Sequence, residues 1–196
     1  MQSSLSRLFL FALIVLVHNG YAQTNYRQYV NPFIGTGGHG HTYPGATLPH
    51  GMVQLSPDTR LDGWDGCGGY HYSDSFIYGF THTHLSGTGV SDYGDVLLMP
   101  MQGPPSDNRT IYGSAFHHQQ ETARPGYYAV RLLDDAIDAD FTASNRVGLH
   151  RYRFSRSGNA SVIIDLEHRD AVIRSSIRLE DSVTVTGMRI SKAWAR

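Results

Sequence analysis

From about Gly126 onward, the chain is a succession of short, evenly spaced runs in which apolar and polar residues alternate. This two-residue period is typical of β-strands with one buried face, and no stretch of the sequence sustains the period of a helix. Many short strands at regular spacing favour two packed sheets over a helical or α/β fold. The predicted strands span residues 127–133, 137–143, 147–154, 161–166, 172–179 and 183–190.

Turn-forming residues separate these predicted strands. Examples are Asp134-Asp135, Gly158-Asn159 and Glu180-Asp181, and Asp, Asn and Gly all favour tight turns. Short connections of this kind join neighbouring strands antiparallel, so we expect a meander in which each strand pairs with the next. The predicted fold class is all-β, an antiparallel β-sandwich.

Residues 24 to about 115 contain long Gly-rich loops and few strand signals. The clearest strands are residues 51–56 and 95–99, and we expect the proline that follows each of them, Pro57 or Pro100, to end it. Glycine is concentrated between Gly35 and Gly94, which predicts turns and close approaches of the backbone. Loops of this kind often carry binding sites.

The first 22 residues are typical of a signal peptide. Arg7 precedes an apolar run over residues 8–17, and Gly20-Tyr21-Ala22 places small residues where a signal peptidase cuts. The apolar run is shorter than the roughly 20 residues of a membrane-spanning helix. We therefore expect a mature chain from Gln23 that is exported, to the periplasm or the extracellular space, with no membrane contact after cleavage.

Charge and cysteine content exclude several classes of protein. The chain has 16 Lys and Arg against 17 Asp and Glu, so no net charge attracts nucleic acid or an anionic membrane, and a neutral ligand fits better. Cys67 is the single cysteine, so no intramolecular disulfide forms even in an oxidising compartment. Stability must come from the packed core.

The last predicted strand is followed by six residues that include Trp194. A complete sandwich rarely leaves a tryptophan with so little sequence after it to cover the ring. We therefore expect the sandwich to be incomplete at the C-terminus and the chain to be a fragment of a longer protein.

Trp64 and Asp65 are adjacent in the segment GWDGCGGYHYSD, residues 63–74. Carbohydrate sites place an aromatic ring against the apolar face of a pyranose and bind its hydroxyls with Asp, Asn and His side chains. The pair supplies both elements. The alternative is Trp64 buried in the sandwich core with Asp65 capping a turn, but the glycines on both sides favour an exposed loop.

Two His-x-His pairs, His39 with His41 and His82 with His84, stand in other glycine-rich segments. Alternate residues of an extended segment share one side, which suits zinc ligands. No cysteine pair, His-Glu-x-x-His helix or obvious water-activating carboxylate accompanies them. A zinc site, hydrogen bonding at a sugar or domain interface, and simple loop packing all stay open.

Cys67 lies close to Trp64 in sequence, and we expect it to be accessible and to line the site. No base committed to activating it is evident, so a nucleophilic role is not predicted. The glycine-rich residues 35–38 and 87–89 resemble phosphate-binding loops, but neither is followed by a lysine or a helix N-terminus. A nucleotide site is therefore not predicted.

Three long blocks are similar to the N-terminal domain of the glycoside hydrolase family 92 α-mannosidases. They are YVNPFIGTGGHGHTYPGATLPHGMVQLSPDTR, GWDGCGGYHYSD and YGFTHTHLSGTGVSDYGDVLLMP. The resemblance extends from about Tyr29 to the last residue. It implies that residues 23–196 are an incomplete N-terminal β-sandwich domain, and that the helical (α/α) barrel that follows it in the family is absent.

The resemblance also implies an activity, that of an inverting, calcium-dependent exo-α-mannosidase acting on N-glycans or mannan. In the family, the catalytic carboxylates and the calcium ligands belong to the helical domain, so we predict no catalytic and no metal-binding residue in this chain. The chain alone is then expected to be inactive, with mannose-containing glycans and the helical catalytic domain as its partners.

Trp64 matches the aromatic residue that, in α-1,2-specific members of the family, lines the subsite beyond the cleaved bond. The other predicted substrate-binding residues are Asp65, Cys67, His39 and His84. Two alternatives belong to other classes. One is a free-standing, mannose-binding lectin-like module without catalysis, and the other is a small zinc hydrolase that uses both His-x-His pairs.

Overall fold

A computed structural model describes residues 25–106, 108 and 112–194, so the predicted signal peptide, residues 1–22, lies outside the described part. Within that part, no helix is long and apolar enough to cross a membrane. Three short 3-10 helices span Tyr26–Tyr29, Trp64–Gly66 and His118–Gln120. The strands are β1 (Ala46–Thr47), β2 (Gln54–Asp58), β3 (Phe76–Ile77), β4 (Gly79–Thr81), β5 (Leu97–Gln102), β6 (Ser114–Ala115), β7 (Glu121–Arg124), β8 (Tyr127–Leu132), β9 (Ile137–Ala143), β10 (Gly148–Phe154), β11 (Ala160–Asp165), β12 (Ala171–Leu179) and β13 (Val185–Lys192).

Two antiparallel sheets form the body of the domain. One has the strand order β1-β2-β4-β5-β11 and the other β10-β9-β8-β7. Their facing sides meet where the rings of Phe80 in β4 and Phe141 in β9 lie 4.1 Å apart between centroids. Both phenylalanines are buried. The predicted all-β sandwich is therefore confirmed, and its core draws on both halves of the chain, with Leu55, Leu97, Met99, Tyr128, Val130, Leu132 and Ile137 packed around the two rings.

The predicted meander is right over four strands and wrong for the next one. β7, β8, β9 and β10 pair in sequence order. β11 then leaves this sheet and pairs along its whole length with β5, from Ala160 opposite Gln102 to Asp165 opposite Leu97. This crossing connects the two sheets. The short turn after β10 favours a hairpin, but β11 packs better as the edge of the sheet that contains β5, where its Ile163 reaches the core.

The prolines predicted to end two strands lie inside them. β2 continues through Pro57, which stands opposite Phe80 in β4, and β5 continues through Pro100, which stands opposite Val162 in β11. In an antiparallel ladder, successive N–H groups point to alternate sides. The nitrogen of Pro57 faces β1, and the nitrogen of Pro100 faces β4. Neither proline is paired with a residue of that strand. No ladder hydrogen bond is lost, so proline is tolerated there.

The hairpin β12–β13 pairs within itself. Arg189 of β13 connects it to the rest of the domain, because its guanidinium donates to the carbonyl of Leu166 at 2.6 Å and forms an ion pair with Asp95. A cavity of about 670 Å³ lies between this hairpin and the five-stranded sheet, with Ile164 of β11 and Met188 of β13 in its wall. Trp194 is exposed.

Asp58, at the end of β2, is the centre of a buried polar cluster. Its carboxylate accepts hydrogen bonds from Nε2 of His84 at 2.8 Å and Nε2 of His168 at 2.6 Å, and Thr81 Oγ1 lies 3.3 Å from it. His84 Nδ1 faces the carbonyl oxygen of Gln54 at 2.8 Å, so both ring nitrogens of His84 face acceptors. Burial opposes ionisation of Asp58, but the charge and hydrogen bonds of His84 and His168 outweigh it and lower the pKa of the carboxyl.

A second pair of histidines links the two sheets. Nε2 of His82, after β4, lies 2.9 Å from Nε2 of His150 in β10, and His82 Nδ1 lies 2.7 Å from the carbonyl of Val96. Because a carbonyl only accepts, His82 donates from Nδ1, and only one of the two facing Nε2 atoms can carry the proton between them. The two rings therefore cannot both be charged. Burial lowers the pKa of both, that of His150 to about 3.

We expect Asp58→Asn to lower the free energy of unfolding by about 3–5 kcal/mol, because it removes the carboxylate that balances two buried imidazoles. Urea denaturation followed by tryptophan fluorescence measures this. Asp138→Asn is the matched control, since Asp138 pairs with Arg131 at 2.8 Å but is 42% exposed. That change should cost under about 1 kcal/mol. Equal losses in the two variants would contradict a central role for the Asp58 cluster.

The neutral pair of His82 and His150 predicts a loss of stability in mild acid. The unfolded chain binds a proton at each histidine below about pH 6.5, whereas the folded His150 stays neutral down to about pH 3. Between pH 6.5 and 4.5, His150 alone should therefore reduce the free energy of unfolding by up to about 1.4 kcal/mol per pH unit. Urea denaturation curves at several pH values should show that the free energy of unfolding of His150→Gln falls less steeply with decreasing pH than that of the unsubstituted protein. An unchanged slope in that variant would contradict this assignment.

Candidate functional site

Trp64 stands at the tip of a loop whose base is fixed to the Asp58 cluster. Thr59 and Arg60 donate their backbone N–H groups to the carbonyl of Gly69, at 2.7 and 3.1 Å, and so close the loop. A side chain at Gly69 would meet Asp58 Oδ1 at 2.2 Å, and the residue has a φ of +82°. Glycine is required there because the loop must turn directly against the buried carboxylate.

The Trp64 side chain points to solvent. The 3-10 helix Trp64–Gly66 follows Gly63, whose φ of 78° lets the chain turn outward, and Trp64 is 61% exposed. The alternative of a tryptophan in the sandwich core is therefore wrong. Phe80 and Phe141 fill the centre of that core instead. An exposed indole of this size is a surface on which a ligand ring can stack.

Two histidines and one carboxylate converge beside this indole. Asp65 Oδ1 lies 2.7 Å from Nδ1 of His39 and 3.3 Å from Nε2 of His41. Hydrogen bonding from His39, more than that from His41, lowers the pKa of the Asp65 carboxyl. The His39 side chain is exposed, that of His41 is buried, and that of Asp65 is 31% exposed. Asp65 is thus a partly accessible, oriented carboxylate.

The same two imidazoles pack against Trp64. The centroid of the indole lies 5.2 Å from that of His39 and 4.5 Å from that of His41, the latter in an edge-to-face arrangement. Gly89 approaches from another side, because a side chain there would meet Trp64 Nε1 at 2.6 Å. These contacts fix the orientation of the indole while most of it stays exposed. A ring held in this way loses little conformational freedom when a ligand stacks on it.

A tight fold of the backbone brings His39 and His41 to Asp65. A side chain at Gly40 would meet the carbonyl oxygen of Gly35 at 2.0 Å, so the chain doubles back at a position only glycine occupies. His41 follows with a φ of 54°, which means that the pair does not lie in an extended segment. The two rings meet at Asp65 because of this turn and not because of strand alternation.

Cys67 does not line the exposed surface. It is 3% exposed, and burial raises the pKa of its thiol. The carbonyl of Gly66, just before it, accepts a hydrogen bond of 2.9 Å from the guanidinium of Arg169. The prediction of an accessible site-lining cysteine is therefore wrong. The residue packs beneath the loop as a small apolar side chain, which is the usual environment of an unreactive cysteine.

His84 is likewise separated from the exposed surface. Its side chain is 1% exposed and both of its ring nitrogens are used in the Asp58 cluster. The role that the structure gives it is structural and not substrate binding. His82 is paired with His150, so the two His-x-His pairs do not form one four-histidine zinc site. Of the predicted site residues, the structure brings together Trp64, Asp65 and His39.

Sequence reasoning missed three residues that support the site. Asp58 and His168 form the buried cluster under the loop, and His41, which was not among the predicted substrate-binding residues, contacts Asp65 and Trp64 directly. Asp58 and His168 are 110 residues apart, so no local sequence pattern indicates that they are in contact. His41 could have been found, because its neighbour His39 was already a predicted site residue.

The cluster of metal-ligating side chains in the described part of the chain does not fit calcium. Calcium takes six to eight oxygen ligands. Among the residues described, the group of three or more metal-ligating side chains that converge is His39, His41 and Asp65, which offers two nitrogens and one carboxylate. This donor set does not fit calcium.

The chain matches the family model described as the glycosyl hydrolase family 92 N-terminal domain over residues 29–196. A relative from Arthroderma benhamiae, described as an uncharacterized secreted glycosidase, is 31% identical over 168 residues, which are 79% of this chain and 21% of the relative.

Solved structures of this family have the same fold. The family GH92 α-mannosidase BT3965 from Bacteroides thetaiotaomicron, in complex with mannoimidazole, superposes with a TM-score of 0.79 at 38% identity, over 86% of this chain and 23% of that one. The inverting mannosidase BT2199 from the same organism gives a TM-score of 0.73 at 28% identity, over 89% and 24%. The chain thus spans under a quarter of the length of each of these relatives. With the family match, the shared sandwich and the agreement of the three motif blocks, this chain belongs to glycosyl hydrolase family 92, of which it is the N-terminal domain.

Proposed function

We propose that this domain is the substrate-binding front part of an exported exo-α-mannosidase that acts on mannose-containing glycans. The observation that carries the proposal is the exposed, fixed indole of Trp64 beside the oriented carboxylate of Asp65. The mannosidases among the similar structures support the choice of sugar. The description of the fungal relative as secreted supports export.

In this proposal, Trp64 stacks on the mannose of the leaving group and Asp65 accepts hydrogen bonds from its hydroxyls. Asp65 Oδ1 is occupied by His39 and His41, so the second carboxylate oxygen is the one available to the sugar. A single aromatic ring and one carboxylate hold one sugar unit without cleaving its bond. The match of Trp64 to the family's α-1,2 subsite favours α-1,2 linkages in N-glycans or mannan.

The chemistry itself requires groups that the site does not contain. Inversion at the sugar carbon needs a general acid and a general base roughly 6.5–9.5 Å apart, with a water between them and the sugar. We place both, together with the calcium ion that the resemblance implies, in a helical catalytic domain, since the donor set found here does not fit calcium. By itself the 196-residue chain is then inactive.

The alternative is a lectin-like module that binds mannose and catalyses nothing. It shares the binding surface with the first proposal and differs in what the whole gene product does. Mannose release decides between them, since both predict binding at Trp64.

We expect Trp64→Ala, made in the full-length enzyme, to reduce kcat/KM for α-1,2-mannobiose by about five- to tenfold, the loss of one stacking contact of roughly 1 kcal/mol. An aryl mannoside should lose far less, because its leaving group is not a mannose. Steady-state kinetics with both substrates measure the difference. Tyr26→Ala is the control, since Tyr26 is also exposed but lies outside the loop. Equal losses on both substrates would count against the stacking role.

Chelation tests where the metal and the catalytic groups reside. Full-length enzyme should release mannose from α-1,2-mannobiose, lose this activity with a calcium chelator and regain it with added calcium. The 196-residue chain should bind mannobiose in calorimetry, with or without chelator, and release no mannose. A full gene product that binds mannose without releasing it would support the lectin alternative instead.

A further inference from the structure

The convergence of His39, His41 and Asp65 has a consequence independent of sugar binding. Both imidazole nitrogens approach the same oxygen, Asp65 Oδ1, at 2.7 and 3.3 Å. The three ligand atoms lie within 4.8 Å of one another. We propose that these residues form a three-ligand site for a transition-metal ion of the zinc class, with one coordination position open to solvent.

The donor set fits such an ion. Two imidazoles and one carboxylate, with a water as fourth ligand, are a common zinc shell, and zinc bonds of about 2.0–2.2 Å place neighbouring ligands of a tetrahedron roughly 3.4 Å apart. The 3.3 Å between His41 Nε2 and Asp65 Oδ1 already meets this spacing. The 2.7 Å between His39 Nδ1 and the same oxygen must open by a few tenths of an ångström. The His39 side chain is 72% exposed, so few protein atoms oppose this small displacement.

The site is largely formed before an ion enters. His41 is buried with its backbone carbonyl bonded to the N–H of Gly87 at 2.8 Å. Trp64 packs against both imidazoles and restricts their rotation. Asp65 follows Trp64 in the same short helix. Preorganised ligands lower the entropic cost of binding, so the ion replaces two hydrogen bonds with coordinate bonds and little rearrangement.

Because His39 is exposed and Asp65 is partly exposed, the fourth position faces solvent on the same surface as Trp64. A water or a hydroxyl can occupy it. The other described histidine pairs differ, because His84 and His168 are committed to Asp58, and His82 to His150. The proposal does not rest on mannose recognition, and it concerns an ion chemically different from calcium.

Isothermal titration of the untagged, metal-free protein with zinc chloride tests the site. We expect one ion per chain, and cobalt(II) should give the intense visible absorption of a tetrahedral complex. His39→Gln and Asp65→Asn should each weaken zinc binding by at least the ten- to hundredfold that follows loss of even an outer-shell partner. His39→Gln alters an exposed side chain, so this variant should fold normally. His50→Gln changes another exposed histidine and serves as the control.

Binding of one ion that both site variants lose and the control keeps would support the proposal. No stoichiometric zinc binding, or binding that both site variants retain, would overturn it. Loss in His50→Gln equal to that in His39→Gln would also overturn it, since the ion would then lie elsewhere. The zinc titration contains no sugar, and the Trp64→Ala experiment measures only mannoside hydrolysis. Failure of the metal site and failure of the sugar site are therefore distinguishable.

Discussion

The hydrogen bonds between the buried carboxylate of Asp58 and two histidines are the interaction on which the arrangement of the loops depends. A charge without solvent is costly unless hydrogen bonds and an opposite charge replace the lost water. Here His84, His168 and Thr81 provide them, and in doing so they join β2, the segment after β4 and the link between β11 and β12. The cluster therefore attaches the link between β11 and β12, which belongs to no strand, to the paired strands β2 and β4.

The exposed site is built on this cluster. Gly69 allows the loop to lie against Asp58, the loop presents Trp64 outward, and the turn at Gly40 brings two imidazoles to Asp65 and to the indole. Each step depends on a close backbone approach and not on a side chain that binds ligand. This explains why the glycine-rich segments, which form few strands, carry the proposed binding surface, while the regular sheets behind them support it.

The pattern of alternation predicted the strands of the C-terminal half closely, because a half-buried strand needs apolar residues at every second position. It could not predict the partner of β11, since β5 and β10 offer the same kind of edge and the choice depends on packing between sheets. The effect of Pro57 and Pro100 was also misjudged. Whether a proline ends a strand depends on which neighbour its nitrogen faces, and that is set by the whole sheet.

For the site, the sequence alone determined that Trp64 and Asp65 lie together in a glycine-rich loop, and the three motif blocks determined the family. The tertiary structure decided which histidines belong to the site. His39 and Asp65 are 26 residues apart, and His168 and Asp58 are 110 apart, so no local spacing reports their contact. The two His-x-His pairs therefore differ in their environment. His39 and His41 contact the partly exposed carboxylate of Asp65, whereas His84 contacts the buried carboxylate of Asp58. Cys67, close to Trp64 in sequence, is buried. Burial and the identity of the facing carboxylate, which arise only when the sheets pack, separated residues that the sequence treats alike.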